Sequence, residues 1–215
     1  AVKQISVAAE LRDFAAQVGA ALPLRGVQGK LNFTDGILRL TDLRGAYGDS
    51  RFNRVDGTYD WAGAAPGKLD VEAHGEVNLA ELREVLRGQE PSVMVDKVLS
   101  SVEDLSGRGN VHVTIKRIPD APLQFDGKVA LEQTRLRYGG VLLSEIRGEV
   151  GLTPNEIAGE RIRAQFAGSP IEARFALKDY VTENGVFELN IDSPGVRAGV
   201  LAKLPTAAPR GGRVP

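Results

Sequence analysis

The sequence contains no cysteine among its 215 residues, which excludes disulfide frameworks, thiolate metal sites and cysteine nucleophiles. Histidine is scarce too, because only His74 and His112 are present, and neither stands in the spacing of a metal-binding or triad motif. Gly48-Asp49-Ser50 places a serine beside an acid, but without a histidine base this segment is interpreted as a turn. The sequence therefore predicts a protein that is not an enzyme, with no catalytic residue, no metal and no cofactor.

An excess of charge of either sign is also missing. Lys and Arg total 27 against 28 for Asp and Glu, and the basic residues form no block, so no nucleic-acid partner is expected.

No apolar run approaches the roughly 20 residues that span a bilayer. The chain starts inside a strand-like pattern without a methionine and ends on a linker-like, Pro- and Gly-containing tail, which predicts a segment of a longer protein.

The dominant pattern that is present is strict alternation of apolar and polar residues. The run Val111, Val113, Ile115, with His112 and Thr114 between, is typical. Short turn signals separate such runs at residues 34–36, 48–49, 139–140 and 153–155. Short connections join antiparallel neighbours, so we predict roughly ten to twelve strands in an antiparallel arrangement.

Three amphipathic helices are predicted. Leu11, Phe14 and Val18 stand at helical spacing within residues 8–20. Asn78, followed by Glu81, resembles a capping arrangement for a short helix. After Pro91, apolar residues at helical spacing continue to Leu105 and predict a helix that ends at Gly107.

A faint internal repeat accompanies this pattern. A shift of 119 residues places Gly29 on Gly148, Tyr47 on Phe166 and Ser50 on Ser169. It predicts two related units. The boundaries that follow are a first β-unit with its N-terminal helix at residues 1–82, a helical insert at 83–106, a second β-unit at 107–204 and a linker-like tail at 205–215.

The order of two short motifs carries a resemblance to a known family. A strand ends at the Gly48-Asp49-Ser50 turn, the next strand ends in Asp60, and Asn78-Leu79-Ala80-Glu81-Leu82 then opens a helix. This order resembles the repeated module of the AsmA-like family of bridge-like lipid transfer proteins. Asn78 replaces the usual aspartate, and the second unit lacks the opening helix. The similarity covers residues 1–82 and, more loosely, 106–204.

The resemblance implies a mostly β fold with few short helices. In that fold, an antiparallel, strongly curved sheet of repeated hairpin units forms an open, taco-like hydrophobic groove. It also implies a periplasmic segment whose parent protein is anchored in the inner membrane. The groove would bind phospholipid acyl chains for transport between inner and outer membranes, with partner proteins in both. The alternative is an interaction scaffold for envelope assembly, whose apolar face is a closed β core.

The candidate groove-lining residues are those of the apolar parity: Val27, Leu31, Phe33, Leu38, Leu40, Leu69, Val71, Val77, Val111, Val113, Ile115, Leu123, Phe125, Val129, Leu131, Val150, Leu152, Ile171, Phe175, Leu177, Leu189 and Ile191. Alternation alone does not choose between a groove and a closed core, because both need one apolar face on every strand.

Overall fold

The fold is known from a computed structural model, which describes residues 6–17, 23–61, 67–87, 93–180, 182 and 185–193. Most of these residues lie in strands. The strands are β1 (Ser6–Gln17), β2 (Pro23–Thr34), β3 (Ile37–Tyr47), β4 (Ser50–Asp60), β5 (Lys68–Asn78), β6 (Val102–Arg117), β7 (Gln124–Tyr138), β8 (Val141–Leu152), β9 (Glu156–Phe166), β10 (Ser169–Lys178) and β11 (Val186–Asp192). The expected mostly β fold is confirmed.

Helix is confined, in the described residues, to two short segments between β5 and β6. They are α1 (Leu79–Arg87) and α2 (Val93–Ser101). Neither has the length and apolar character that a bilayer-crossing helix needs. Because α1 contacts β5 and β6, this helical segment lies at one end of the strands.

All eleven strands form a single sheet in which each strand pairs with its neighbour in sequence. Every pairing is antiparallel, and the sheet is open, with β1 and β11 at its two edges. Turns of two residues connect several strands, at residues 35–36, 48–49, 139–140 and 167–168. The antiparallel arrangement and the number of strands predicted from alternation are therefore confirmed.

The prediction of a helix at residues 8–20 is wrong for residues 8–17, which belong to β1 (Ser6–Gln17), and residues 18–20 lie outside the described part of the chain. Leu11 pairs with Gly29 and Phe14 with Val27, and the register shifts between them. Asp13, within this irregularity, has a φ of 54°. A β-bulge adds one residue to a strand, so two side chains three positions apart can face the same side. That spacing imitates the helical period, and this misled the sequence prediction.

The third predicted helix ends earlier than expected. The apolar residues up to Leu105 predicted a helix ending at Gly107, whereas α2 ends at Ser101 and β6 begins at Val102. Leu105 pairs with Leu136 of β7. The packing of this segment in the sheet therefore outweighs its helical periodicity, which is a weak signal over a short stretch.

Two glycines related by the 119-residue shift have nearly the same backbone geometry. Gly29 has a φ of 137° and Gly148 a φ of 146°. A Cβ atom added to Gly29 would lie 2.8 Å from the carbonyl oxygen of Asp42, and one added to Gly148 would lie 2.7 Å from that of Arg161. Asp42 and Arg161, whose carbonyl oxygens make these close approaches, are separated by the same shift. Both strands therefore need a residue without a side chain where the next strand approaches closely.

The most buried part of the sheet lies towards its C-terminal edge. Its hydrophobic cluster comprises Val141, Ile146, Ile162, Ala164, Phe166 and Ile171, which are 5–9% exposed. Leu131, Phe175 and Ile191 pack against the cluster from neighbouring strands. The described core is thus concentrated in β8, β9 and β10.

Candidate functional site: the apolar face of the sheet

One face of the sheet is apolar across almost its whole width. Residues that are directly paired on neighbouring antiparallel strands project to the same side of a sheet, so the register identifies each face. One row crosses nine strands and consists of Leu43, Val55, Ala73, Val113, Gly127, Leu152, Ile157, Leu177 and Phe187. No polar side chain interrupts it. This row defines the apolar face, a name used below for that side of the sheet.

Further rows run parallel to the first and bring the residues nominated from the sequence together. Leu31, Leu40, Gly57, Val71, Ile115 and Phe125 pair in turn from β2 to β7. Val111, Val129, Val150, Gly159, Phe175 and Leu189 do so from β6 to β11. A fourth row pairs Phe33, Leu38, Tyr59 and Leu69 in turn from β2 to β5. A fifth row pairs Val77, Gly109 and Leu131 from β5 to β7.

The remaining nominated residues lie on the same face, with one exception. Val27 pairs with Phe14, Ile171 pairs with Ala164, and Ile191 pairs with Ala173. Leu123 differs, because it precedes β7 in the connection from β6, and it is 41% exposed. It therefore has no place in the strand register.

Sequence reasoning missed several residues of the apolar face. Leu43, Val55 and Phe52 belong to it, although they were not nominated. In β3 and β4 the register shifts between Leu40 and Leu43 and again before Gly45, so strict parity breaks there. The one signal for this irregularity in the sequence was the aspartate at position 42, because Asp adopts positive φ more readily than most residues. In the structure Asp42 has a φ of 51°.

The apolar face is unevenly covered. Within β1 to β5, Val27 is the only buried hydrophobic residue, at 6% exposed. Leu31, Leu40 and Val71 are half-buried, while Phe14 is 47% exposed. The N-terminal half of the face thus retains accessible apolar surface, whereas the β8–β10 part is filled by its own side chains.

Helix α1 is capped as the sequence predicted. The Asn78 side-chain oxygen accepts hydrogen bonds from the backbone N–H groups of Ala80 (3.0 Å) and Glu81 (3.4 Å). Leu79, 4% exposed, begins the helix and lies against Gly109 of β6. The cap and this apolar contact therefore fix where the helix leaves β5.

The two motifs that carry the family resemblance contact each other. Glu81 accepts a hydrogen bond from the Asp49 backbone N–H (2.7 Å) and another from the Ser50 hydroxyl (2.9 Å). The Ser50 oxygen in turn accepts one from the Asn78 backbone N–H (2.9 Å). The Gly-Asp-Ser turn and the helix start thus form one hydrogen-bonded junction, which gives Ser50 a structural role.

We expect Glu81→Gln to weaken this junction. A glutamine side chain offers one acceptor oxygen in place of two, and hydrogen bonds to a charged acceptor contribute more than neutral ones, so the free energy of unfolding should fall by about 1.5 kcal/mol. Urea unfolding measures the loss, and faster amide exchange at Asp49 localises it. Glu84→Gln is the matched control in the same helix, because Glu84 is exposed. An equal effect of the two substitutions would contradict the assigned role of Glu81.

The opposite face carries the charged residues in cross-strand ladders. Lys128 donates to Glu149 (2.9 Å), and Lys178 donates to Glu188 (3.1 Å). The Glu149 and Glu188 partners raise the pKa of each lysine through a hydrogen bond and charge attraction. These pairs are exposed and each contributes little to the stability of the fold, but their charged side chains keep this face hydrated.

Both histidines of the chain lie on this charged face and are brought together by the sheet. His74 of β5 pairs with His112 of β6, and their rings stack with centroids 4.0 Å apart. Both rings contact Oε1 of Glu72, His74 through Nε2 at 3.0 Å and His112 through Nε2 at 2.9 Å. The hydrogen bond from His74, followed by that from His112, lowers the pKa of the Glu72 carboxyl.

Ser50, the serine that stands beside an acid in the sequence, has no histidine partner among the described residues. Ser50 bonds Glu81 and Asn78, whereas the two histidines contact Glu72 and each other.

Comparison with known proteins does not identify a family for this chain. No family model matches it, and no curated protein or solved structure is significantly similar to it.

Proposed function

We propose that this chain is a non-enzymatic, lipid-binding segment of an AsmA-like envelope protein. Its apolar face takes up phospholipid acyl chains, and the parent protein moves them between the inner and outer membranes. The observation that carries the proposal is the uninterrupted apolar row that crosses β3 to β11.

The composition of the face suits acyl chains. Its rows are mostly Val, Leu and Ile, with glycines such as Gly57 and Gly127 between them. Flexible aliphatic surface fits a flexible hydrocarbon chain, and each buried methylene contributes about 0.8 kcal/mol without a polar contact. A dozen acyl carbons would therefore be held firmly, yet free to slide along a row that contains no directional bond.

The accessible surface supports the same proposal. A globular sheet needs a second layer to cover its apolar face. Among the described elements, only α1 and α2 lie outside the sheet, and α1 contacts β5, β6 and, through the Glu81–Ser50 hydrogen bond, the first residue of β4. The half-buried residues of β1 to β5 therefore offer the segment that a lipid would cover.

The proposal extends to a repeated, curved architecture. Gly26 and Glu145, like Gly29 and Gly148, are related by the 119-residue shift, and both have positive φ, at 60° and 51°. The bounds of β3, Ile37–Tyr47, shift onto those of β9, Glu156–Phe166. We propose that the two β-units have bulges at equivalent positions. These bulges bend the sheet into a groove with the apolar face inside.

Site-specific photo-crosslinking tests the lipid assignment. A photoreactive residue at Val71 is expected to form phospholipid adducts when the segment is produced in a bacterial periplasm, as seen by mass spectrometry. The control is Asp70, the preceding residue on the opposite face. If Val71 yields no more lipid adduct than Asp70, and the purified segment carries no phospholipid, the groove assignment fails and the scaffold alternative gains support.

A further inference from the structure

The charged face holds a constellation of metal-ligating side chains. Glu72, His74 and His112 each offer one ligand atom, and these atoms all lie within 4.8 Å of one another. It is the one such group of three or more His, Asp or Glu side chains within the described residues. The side chains are 41–53% exposed, so an ion can reach them from solvent.

The distances suit a small transition-metal ion. Zn²⁺ binds imidazole nitrogen and carboxylate oxygen at about 2.0–2.2 Å, so two ligands of a tetrahedral site lie about 3.3 Å apart. The Oε1 atom of Glu72 is 3.0 Å from His74 Nε2 and 2.9 Å from His112 Nε2. An ion in place of the Nε2 protons would therefore require each oxygen–nitrogen pair to separate by only a few tenths of an ångström. The two stacked rings, whose ligand atoms lie within 4.8 Å of each other, would also have to tilt so that both lone pairs point at the ion.

The backbone holds the ligands without a loop. Glu72 and His74 stand two residues apart on β5, which directs both side chains to one face, and His112 pairs directly with His74 from β6. Because all three residues lie within hydrogen-bonded strands, little backbone ordering is needed to assemble the site. Ligands on regular elements are positioned more accurately than ligands on loops.

The neighbouring cations already have partners. Arg54, opposite His74 on β4, is bonded to Asp56, and Lys128, opposite His112 on β7, is bonded to Glu149 at 2.9 Å. Arg54 is close enough to Glu72 for charge attraction, but the side-chain hydrogen bonds of Glu72 go to the two histidines. Two neutral imidazoles and one carboxylate form the ligand set of several open zinc sites, and the same set binds other late first-row dications.

We propose that Glu72, His74 and His112 form a binding site for a divalent transition-metal ion of the zinc type, with a fourth position open to water. Each histidine binds through Nε2 as the tautomer protonated on Nδ1, so on binding the ring releases the Nε2 proton to solvent and takes up a proton on Nδ1. The ion joins β5 to β6, and these are the two strands separated in sequence by the helical segment. The site lies on the opposite face from the proposed lipid surface and is independent of that function.

Zinc titration of the tag-free chain against a chromogenic chelator tests the proposal. Wild type is expected to bind one equivalent. His74→Ala, His112→Ala and Glu72→Gln should each weaken binding at least roughly tenfold, because losing even an outer-shell partner commonly costs that much. Glu188→Gln, which removes a carboxylate from the charged face at β11, several strands from the site, should leave binding unchanged. Far-UV circular dichroism checks that each variant is folded.

Imidazole NMR of wild type gives a readout that needs no substitution. The chain has two histidines, so all imidazole signals come from the proposed ligands. Zinc should shift both Nε2 resonances together, with one binding constant. The proposal is overturned if wild type binds no zinc, if only one ring responds, or if His112→Ala binds as tightly as wild type.

Discussion

Gly148→Ala is expected to lower the free energy of unfolding by about 3 kcal/mol, because strain and overlap coincide at this residue. Its φ of 146° is a conformation that L residues rarely adopt. The added Cβ would also lie 2.7 Å from both the Arg161 carbonyl oxygen and the Ile162 side chain. Since the carbonyl belongs to the backbone of the adjacent strand, β8 and β9 would have to separate locally. Urea unfolding followed by circular dichroism measures the change.

Gly29→Ala should have an effect of similar size, because its surroundings in β2 and β3 are nearly the same. The control is Gly151→Ala in β8, where the nearest atom to an added Cβ is 3.9 Å away and φ is not positive. This control should change stability by less than about 0.5 kcal/mol. If Gly29 tolerates alanine while Gly148 does not, the proposed equivalence of the two β-units is wrong.

Phe125→Asp is expected to reduce co-purified phospholipid at least roughly tenfold while the sheet remains folded. Phe125 pairs with Ile115 on the apolar face and is half-buried near the start of β7. A carboxylate there would have to lose its hydration against an acyl chain, which costs several kcal/mol. Quantitative lipid mass spectrometry on the purified segment, normalised to protein, measures the effect.

Gln124→Asp is the matched control for that substitution. Gln124 is the adjacent residue, is exposed and pairs with Lys116 on the charged face, so the new carboxylate meets a favourable partner. It should leave bound lipid unchanged. Equal lipid loss in the two variants would point to a general effect of charge on the segment and would count against a lipid-binding apolar face.

Alternation predicted most of the sheet because each strand carries its own information. In β6, Val111, Val113 and Ile115 project to one side by strand geometry alone, whatever their partners are. The turns were equally local, since Asp35-Gly36 suits a tight connection in which both residues have positive φ. The apolar face could therefore be nominated residue by residue before any pairing was known.

The sequence could not show features that depend on partners. The contact between His74 and His112 exists only because β5 and β6 pair in one register, although the helical segment separates them along the chain. The bulge at Asp13 likewise becomes visible only when β1 is paired with β2. Both features are non-local, so the spacing of histidines or of apolar residues within one segment gives no signal for them.

The pairing of every strand with its sequence neighbour has a consequence for folding kinetics. Most native contacts in such a sheet join adjacent strands, so loop closure costs little entropy at every step except that from β5 to β6, unlike in Greek-key β proteins. Pairing can therefore start at one hairpin and extend strand by strand. A chain that is synthesised from its N-terminus can add each strand to an already formed edge before its C-terminus is made.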